Sequence, residues 1–264
     1  MTEPREPDTC SASYRVRFDE AGPDGRVRTS VLLRYTQDLA WFHSAARGFG
    51  RSWYAERGLT WLVRAAEIEM LLPVPVGSEL VGTTRVTGSR RVWARRRTDF
   101  RDGDGDTVAE VRIDWVLLDA RGAPTRIPSE FEPIFGMQHE PVELARVDLP
   151  PAPAGVERAR FAVRPQELDP MAHVNNAVYA DWLEERVIAA GGLDDVRELP
   201  RNIRLEYARA ADAGATVAAD TWRDADGSWA CRIADTGGDL LRARLGPLPT
   251  AARTGGERQE RPTR

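Results

Sequence analysis

The feature that most constrains this fold is a repeated order of sequence patterns. A short strand pattern, "YRVRF" in one half and "ARFAV" in the other, precedes a long helical pattern that ends on glycine. Stretches rich in β-branched and aromatic residues follow each helix and are typical of antiparallel strands. Glu69 and Glu206 lie 137 positions apart, and so do Gly77 and Gly214. A shared offset combined with a shared order of elements predicts a duplicated unit.

Each unit contains one long helix and several strands, which predicts the α+β class. Apolar residues cover much of the surface of the helical pattern "NNAVYADWLEERVIAAGG", namely Val178, Trp182, Leu183, Val187 and Ile188. A helix of about 16 residues is about 24 Å long, which is the width of five or six paired strands. Each repeat is therefore predicted to be an antiparallel sheet wrapped around one central helix.

Proline, glycine and polar stretches divide the chain into five parts. The N-terminal repeat is predicted over 14–132 and the C-terminal repeat over 156–249. The proline-rich stretch between them, 133–155, is predicted to be a linker. The polar ends, 1–13 and 250–264, are predicted to be disordered tails. Two repeats in one chain leave two assemblies open, a monomeric pseudo-dimer and a homodimer.

Composition excludes several classes of function. The 264 residues carry 37 basic and 41 acidic side chains, a net charge of −4, so no basic excess indicates nucleic-acid binding. No apolar run reaches the roughly 18 residues of a membrane span, and the polar N-terminus has no secretory signal. Cys10 and Cys231 are expected to be free thiols in a reducing cytoplasm. The scattered cysteines and three histidines give no metal-ligand spacing, so neither metal nor cofactor is predicted.

One short motif, "DPMAHVNNAVY", lies at the start of the second helix and runs from Asp169 to Tyr179. Its D-x-x-x-H-V-N-N-x-x-Y pattern resembles the motif that precedes the central helix in hot-dog thioesterases. The wider chain resembles acyl-acyl-carrier-protein (acyl-ACP) thioesterases, which carry two hot-dog repeats in one polypeptide. That resemblance covers about 14–245 and rests, in order, on "RTSVLLRYTQDLAWFHSAARGFG", "GLTWLVRAAEIEM", "WVLLDARGAPTRIPSEF", the motif itself and "IRLEYARAADAGATV". It implies a tandem (double) hot-dog fold that hydrolyses a fatty acyl thioester of acyl carrier protein or coenzyme A, releasing free fatty acid and the carrier thiol.

The residues of the motif suit that chemistry. Pro170 disfavours helical geometry at Asp169, so the helix is predicted to start after His173. Asn175, or its neighbour Asn176, is a good N-cap, and the free N–H groups at this end suit a carbonyl oxygen that gains negative charge. Asp169 is predicted either to activate water or to attack the thioester and form a transient anhydride. His173 is predicted to orient the thioester or to protonate the departing thiolate.

The first repeat has no equivalent of this motif. Its helix is preceded by "GPDGRVRTS", which lacks both the histidine and the paired asparagines. The family resemblance therefore implies a catalytically silent first repeat that shapes the acyl pocket. Trp41 and Phe42 on its helix are candidates for the pocket wall, and Trp41 is predicted to bind substrate.

The sequence also departs from the family pattern. Met171 stands where those thioesterases carry an asparagine, and a Glu-Cys pair of their second repeat falls on Ala210 and Ala211. The family's site residues therefore carry over only to the aspartate, the histidine and the first asparagine of the motif. Two other functions stay open, a hot-dog hydratase or dehydratase acting on acyl thioesters and a non-catalytic module that binds them.

Two charged stretches have competing interpretations. The stretch "DGDGD" at 102–106 spaces carboxylates as a calcium loop does, but Thr107 and Ile113 stand where that loop needs glycine and glutamate. A tight turn between two strands is predicted there instead. The stretch "SRRVWARRR" at 89–97 concentrates five arginines. It indicates either a solvated strand face or a surface that docks an acidic carrier protein or a pantetheine phosphate.

Overall fold

The computed structural model describes residues 8–135 and 145–248, and its ten strands form one antiparallel sheet. The first half contains β1 (Thr9–Arg15), α1 (Thr29–Ala46), α2 (Arg51–Glu56), β2 (Thr60–Met70), β3 (Glu79–Arg90), β4 (Trp93–Arg101), β5 (Thr107–Leu118) and α3 (Glu132–Phe135). The second half contains β6 (Glu157–Ala162), α4 (Val178–Ala189), α5 (Leu193–Arg197), β7 (Arg201–Tyr207), β8 (Thr216–Arg223), β9 (Trp229–Asp235) and β10 (Gly238–Pro247).

Both halves have the same strand order. From the edge of the sheet to its centre, the first half runs β1, β3, β4, β5, β2 and the second runs β6, β8, β9, β10, β7. In each half the long helix connects the outermost strand to the central strand. The α+β, tandem hot-dog architecture expected from the sequence is confirmed.

The two halves join where β2 pairs with β7, and this ladder is symmetric. Glu67 lies opposite Arg204, which is 137 positions later in the chain. On one side of this pair Ala65 lies opposite Glu206. Adding 137 to the first number and subtracting 137 from the second gives positions 202 and 69, which lie opposite one another on the other side. An approximate two-fold axis therefore passes through the Glu67–Arg204 pair. The offset between the sequence repeats is also the offset between the two halves of the fold.

The two long helices, α1 and α4, pack against each other and against the strands of their own halves. Four of the five apolar residues predicted for the surface of α4 are buried, and Ile188 is exposed. One continuous apolar core contains residues of both helices and of strands from both halves, so the repeats fold as a single unit. Within the described residues, no helix has the length and apolar character needed to cross a membrane.

Strand β1 corrects the predicted N-terminal boundary. The sequence indicated a disordered tail over 1–13, yet Thr9 lies opposite Arg85 and Tyr14 opposite Leu80 in a continuous ladder with β3. The stretch "TCSAS" lacks the large β-branched and aromatic residues that mark a strand. Backbone pairing to β3 therefore forms this edge strand in spite of low propensity. Cys10, assigned to the tail, lies within it.

The predicted linker, 133–155, is also partly wrong. Phe135 is buried in an aromatic cluster with Phe131 and Phe49, and the rings of the last two are stacked with centroids 4.1 Å apart. Val147 is buried as well. Single apolar residues scattered among prolines have no period, so the sequence pattern cannot identify them as core. Residues 136–144 of this linker and the predicted C-terminal tail, 250–264, lie outside the described residues.

The stretch at 102–106 is the predicted tight turn, between β4 and β5. One carboxylate oxygen of Asp102 accepts the N–H groups of Asp104 at 3.1 Å and Asp106 at 3.0 Å. Asp102 therefore stabilises the turn through backbone contacts. No cluster of side chains suited to a metal ion occurs in 8–135 or 145–248.

The five arginines of 89–97 do not form a free basic surface. Arg95 forms a two-bond ion pair with Asp114, at 2.6 and 2.8 Å. Arg97 pairs with carboxylates of β4 and β5 at 2.7 Å each. Arg96 is buried and contacts α1. Three of the five charges are thus neutralised or buried, which removes most of the support for carrier docking at this face.

Candidate active site

The motif forms a tight loop that is held together by the carboxylate of Asp169. Its Oδ1 accepts the N–H of Met171 at 2.8 Å and the N–H of His173 at 3.4 Å. Backbone bonds close the same loop, because Asp169 N–H donates to the carbonyl of His173 and Ala172 N–H donates to that of Asp169. Ala172 has φ 61°, a left-handed conformation that costs an L-residue roughly 1–2 kcal/mol. Among the residues the structure describes, the second carboxylate oxygen of Asp169, Oδ2, makes no hydrogen bond.

The loop is docked on the connection between β7 and β8. Val174 N–H donates to the carbonyl of Ala211 at 3.2 Å, and His173 forms an isolated antiparallel bridge with Asp212. Residues directly opposite in such a bridge project to the same side, with Cβ atoms about 4.5–5.5 Å apart. The exposed Asp212 therefore lies next to His173, on the same side as its imidazole.

Asn175 caps the turn that leads into the second long helix, two residues before Ala177, which directly precedes the first regular helical residue. Its Oδ1 accepts the N–H of Ala177 at 2.9 Å, and its carbonyl accepts the N–H of Val178 at 2.9 Å. Helical geometry is regular from Val178 onward, which agrees with a helix that starts after His173. The N–H of Asn176 has no acceptor in the described part of the chain.

Two tyrosines fix the helix start to the sheet. Tyr207 donates its O–H to the carbonyl of Asn176 at 3.0 Å, and Tyr179 accepts the N–H of Ala211 at 3.1 Å. Their rings meet edge to face, with centroids 5.6 Å apart. Burial raises the pKa of Tyr179 to about 12, and burial also raises the pKa of Tyr207. Both phenols are therefore protonated at neutral pH and act as fixed hydrogen-bonding groups.

The first repeat also reaches the motif, through Gln37 on α1. The Nδ2 of Asn175 donates to the Oε1 of Gln37 at 3.4 Å. Trp41 follows Gln37 by four residues and therefore lies beside it on the same helix face. Its side chain is 56% exposed, so Trp41 is outside the packed core. Phe42 lies one position further on, next to Asp38, and is 57% exposed.

The structure brings Asp169, His173 and Asn175 into one loop but does not join their side chains. The carboxylate of Asp169 accepts the backbone N–H of His173, and within the described residues no hydrogen bond or ion pair joins it to the imidazole. Met171 is exposed and takes no part in packing the core. Four residues outside the motif contact it and carry no signal of their own in the sequence, namely Gln37, Glu167 (whose carbonyl accepts the N–H of Asn175), Tyr207 and Asp212. Tyr179 is the last residue of the recognised pattern.

A cavity of about 310 Å³ lies elsewhere, near the junction of β2 and β7. Its walls come from Arg64, Ala65, Trp93, Ala145, Arg146, Glu206 and Arg242, none of which belongs to the motif. Glu206 is 7% exposed, and its carboxylate accepts the N–H of Val147 at 2.9 Å. This cavity is separate from the loop that carries Asp169.

Comparison with protein families gives two matches, one for each half. Residues 7–135 match the family model of the acyl-ACP thioesterase N-terminal domain, and residues 152–244 match that of the C-terminal domain. No curated protein sequence matches the chain.

Several solved structures share the whole architecture. A protein described as an oleoyl thioesterase from Lactobacillus plantarum is 21% identical, with a TM-score of 0.76 over 94% of this chain and 100% of that chain. An acyl-ACP thioesterase from Bacteroides thetaiotaomicron is 17% identical, with a TM-score of 0.76 over 90% and 97% of the two chains. The 12:0-ACP thioesterase from Umbellularia californica is 21% identical, with a TM-score of 0.74 over 90% and 96%. At these identities the structures establish a common fold.

Proposed function

This chain belongs to the acyl-ACP thioesterase family and is a thioester hydrolase, and from that premise we propose that the loop 169–176 of its second repeat is where a fatty acyl thioester of acyl carrier protein is cleaved. The products are the free fatty acid and the carrier thiol. The first repeat lacks the motif and contributes contacts to the substrate.

This proposal rests on the hydrogen bonding of the Asp169 carboxylate. Two backbone N–H groups fix Oδ1, while Oδ2 has no partner among the described residues. A carboxylate held by one oxygen keeps the lone pairs of the other oxygen free in a fixed direction. Oδ2 can therefore remove a proton from water or add to the thioester carbonyl carbon.

The start of α4 supplies the complementary electrophilic site. When the carbonyl carbon is attacked, its oxygen becomes negatively charged. The unpaired N–H of Asn176, at the positive end of the helix dipole, suits that oxygen. The C–S bond then breaks with both electrons on sulfur, and His173 supplies the proton that converts the thiolate to the thiol. His173 lies two positions before Asn175 and is therefore close to the start of α4, where the thioester is placed.

Two positions of the family pattern carry other residues here, and this changes which contacts hold the loop in place. Met171 replaces an asparagine, so the loop relies on the backbone bonds to Asp169 Oδ1 and on the cap at Asn175. Ala211 contacts the loop through its backbone alone. The chemistry therefore depends on one carboxylate, one imidazole and backbone N–H groups.

A substrate panel tests the proposed function. Purified protein is mixed with acyl-ACP and acyl-CoA substrates of graded chain length, and both the released thiol and the mass of the acyl product are measured. We expect free thiol and free acid, with acyl-ACP turned over faster than acyl-CoA. A hydrated or dehydrated acyl thioester, or binding without thiol release, would identify one of the two rival functions instead.

An isotope experiment separates the two roles open to Asp169. A single turnover in H₂¹⁸O, followed by mass analysis of the peptide that contains Asp169, detects oxygen exchange into the carboxylate. Water that attacks a transient anhydride at the aspartyl carbonyl places ¹⁸O in Asp169, so label in this residue identifies the nucleophilic route. General-base catalysis delivers water directly to the substrate and leaves Asp169 unlabelled.

We further propose that the reaction takes place in the cytoplasm and that one chain suffices. Cys10 and Cys231 are both free thiols, which suits a reducing compartment. Helices α1 and α4 already pack together within one chain, so no second copy is needed to complete the contact between Asn175 and Gln37. Light scattering on the active chromatographic fraction measures the assembly, and activity confined to a dimer would contradict the second point.

A further inference from the structure

We propose that Gln37, in the first repeat, is a catalytic residue that donates an amide N–H to the carbonyl oxygen of the thioester. This inference rests on the proposed function, and it assigns a chemical role to the repeat that lacks the motif. It starts from a polar group that the fold leaves unpaired beside Asn175.

The orientation of Gln37 follows from a chain of hydrogen bonds. The N–H of Ala177 can only donate, so the Asn175 atom that meets it at 2.9 Å is the oxygen, Oδ1. The opposite atom of that amide is consequently the donor, Nδ2, which meets Gln37 at 3.4 Å. Gln37 must present its oxygen there, so its own NH₂ group, Nε2, is the atom that Asn175 leaves without a partner.

This NH₂ group is buried and lacks an acceptor. Nε2 of Gln37 is shielded from solvent and makes no hydrogen bond among the described residues. A buried donor without a partner destabilises a fold, and native structures leave few of them. An unpaired donor next to a candidate active site is explained if a substrate atom fills the position.

The surroundings of Gln37 identify that substrate atom as a carbonyl oxygen. Gln37 contacts the side chain that caps α4, next to the unpaired N–H of Asn176. Trp41 lies one turn further along the same face of α1 and is exposed, which provides apolar surface for the acyl chain. The thioester carbonyl is the hydrogen-bond acceptor that an acyl-ACP brings to this place.

The assigned step is balanced. Water adds its oxygen to the carbonyl carbon while Asp169 takes one proton, and the π electrons of the C=O bond move to oxygen. Gln37 Nε2–H and Asn176 N–H then donate to that oxygen. When the C=O bond re-forms, the C–S bond breaks with both electrons on sulfur and the thiolate takes a proton from His173. The proton held by Asp169 then returns to the imidazole through solvent. Because these bonds are strongest when the oxygen is charged, Gln37 lowers the barrier more than it strengthens substrate binding.

Three variants of the full chain test the role of Gln37. Gln37→Met keeps the length of the side chain and removes both polar atoms. Gln37→Glu keeps an oxygen for Asn175 and replaces the NH₂ donor with a second oxygen. Arg34→Gln is the matched control, because Arg34 lies on the same helix one turn earlier and makes an exposed ion pair with Asp181. Each is assayed for kcat, KM and Tm with an acyl-ACP that the wild type hydrolyses.

We expect both Gln37 variants to lose about 10²- to 10³-fold in kcat with little change in KM, as for the loss of an oxyanion donor. Gln37→Met should keep Tm near that of the wild type, because removal of the buried unpaired Nε2 offsets the loss of the acceptor for Asn175. Arg34→Gln should match the wild type in all three measurements.

Three results would overturn the assignment. Wild-type kcat in Gln37→Met would show that Nε2 is idle or bound to a structural water. Retained activity in Gln37→Glu with loss in Gln37→Met would mean that Gln37 only positions Asn175. A Tm that falls in proportion to the loss of kcat would show that Gln37 stabilises the fold and has no catalytic role. Failure of the proposed function is distinguishable, since it would appear as absent thiol release in the wild type.

Discussion

At the scale of single residues, one local geometry occurs three times within residues 8–135 and 145–248. Asp102, Asp119 and Asp169 each use Oδ1 to accept the N–H groups two and four positions later. At Asp102 and Asp119 this geometry stabilises the turns that precede and follow β5. Only Asp169 is followed by a histidine, a capping asparagine and a long helix. The neighbours of this aspartate, and not its local bonds, therefore distinguish the candidate catalytic group.

A residue-scale prediction concerns the specificity of the acyl pocket. Trp41→Ala is expected to shift the preferred acyl chain length while hydrolysis continues, because Trp41 adjoins Gln37 on the face of α1 that meets the motif. The side chain is exposed, so the free energy of unfolding should change by no more than about 0.5 kcal/mol. The measurement is the mass profile of released acids from a mixed acyl-ACP pool.

Phe42→Ala is the matched control for Trp41→Ala. Phe42 has nearly the same exposure but lies beside Asp38 instead of Gln37. It should leave the product profile unchanged. Equal shifts in both variants, or none in either, would remove Trp41 from the pocket.

The sequence predicts the residues of the motif but not their partners. Asp169, His173 and Asn175 are close together in the chain, so a local pattern contains them. Gln37 lies 138 positions before Asn175, and Asp212 meets His173 only because β7 and its following turn pack on the loop. Contacts of this kind depend on the register of the sheet, which local propensity does not determine.

At the scale of elements, the stability of the start of α4 depends on the oxygen end of the Asn175 amide. Asn175→Ala removes the cap and is expected to reduce the free energy of unfolding by about 0.5–2 kcal/mol, together with activity. Asn175→Asp keeps Oδ1 for the N–H of Ala177 but replaces the donor that meets Gln37. Its stability should stay near that of the wild type. Urea denaturation measures the free energy of unfolding, and thiol release measures activity. Equal destabilisation of the two variants would contradict the capping role of Oδ1.

The C-terminal end of α1 contains a buried histidine. The Nδ1 of His43 lies 2.8 Å from the guanidinium of Arg96, which only donates, so Nδ1 accepts and the proton is on Nε2. Nε2 then donates to Asp8 at 2.9 Å, and Arg47 also pairs with that carboxylate. Burial lowers the pKa of His43, and Arg96 opposes its protonation further. His43 is therefore held neutral.

This arrangement predicts a loss of stability in mild acid. Below the unfolded pKa of about 6.5 the unfolded chain binds a proton at His43 that the folded chain resists, so the unfolded state holds more protons. Stability from this group is present above about pH 6.5 and declines as the pH falls toward the lower folded value. We expect Tm to fall between about pH 7.5 and pH 5.5, and His43→Gln to reduce that dependence. The same pH dependence in both proteins would contradict the assignment.

At the scale of the whole molecule, the sequence contains the symmetry of the fold. The offset of 137 positions relates the two sequence repeats and also the two sides of the β2–β7 ladder, as a two-fold pairing of equivalent units requires. The boundary of a strand whose residues show no clear hydrophobic or β-branched pattern could not be predicted in this way. Strand β1 begins five residues before the predicted repeat because backbone pairing, and not propensity, forms it.

One buried polar group joins the two halves. Glu184 on α4 accepts the O–H of Thr29 on α1 at 2.6 Å and a guanidinium N–H of Arg201 on β7 at 3.0 Å. The two charged side chains are only 13% and 10% exposed. Glu184→Ala leaves the Arg201 charge buried and unpaired, so the free energy of unfolding should fall by about 3–5 kcal/mol.

Glu185→Ala is the control for that prediction. Glu185 is the exposed neighbour in the same helix, and its replacement should cost no more than about 0.5 kcal/mol. Urea denaturation measures both. A similar small loss in both variants would show that the buried pair does not stabilise the contact between the halves.

The central claim is that the carboxylate of Asp169 carries the hydrolysis, and Asp169→Asn tests it most directly. The variant keeps Oδ1 for the two backbone N–H groups, so the loop and Tm should be retained. Asp102→Asn is the matched control, because the same bonds occur there far from the motif. The measurement is thiol release from acyl-ACP, at equal Tm. We predict a loss of about 10²- to 10⁴-fold in kcat for Asp169→Asn and none for Asp102→Asn. Wild-type turnover by a folded Asp169→Asn variant would contradict the account and leave the motif as a structural entry to α4.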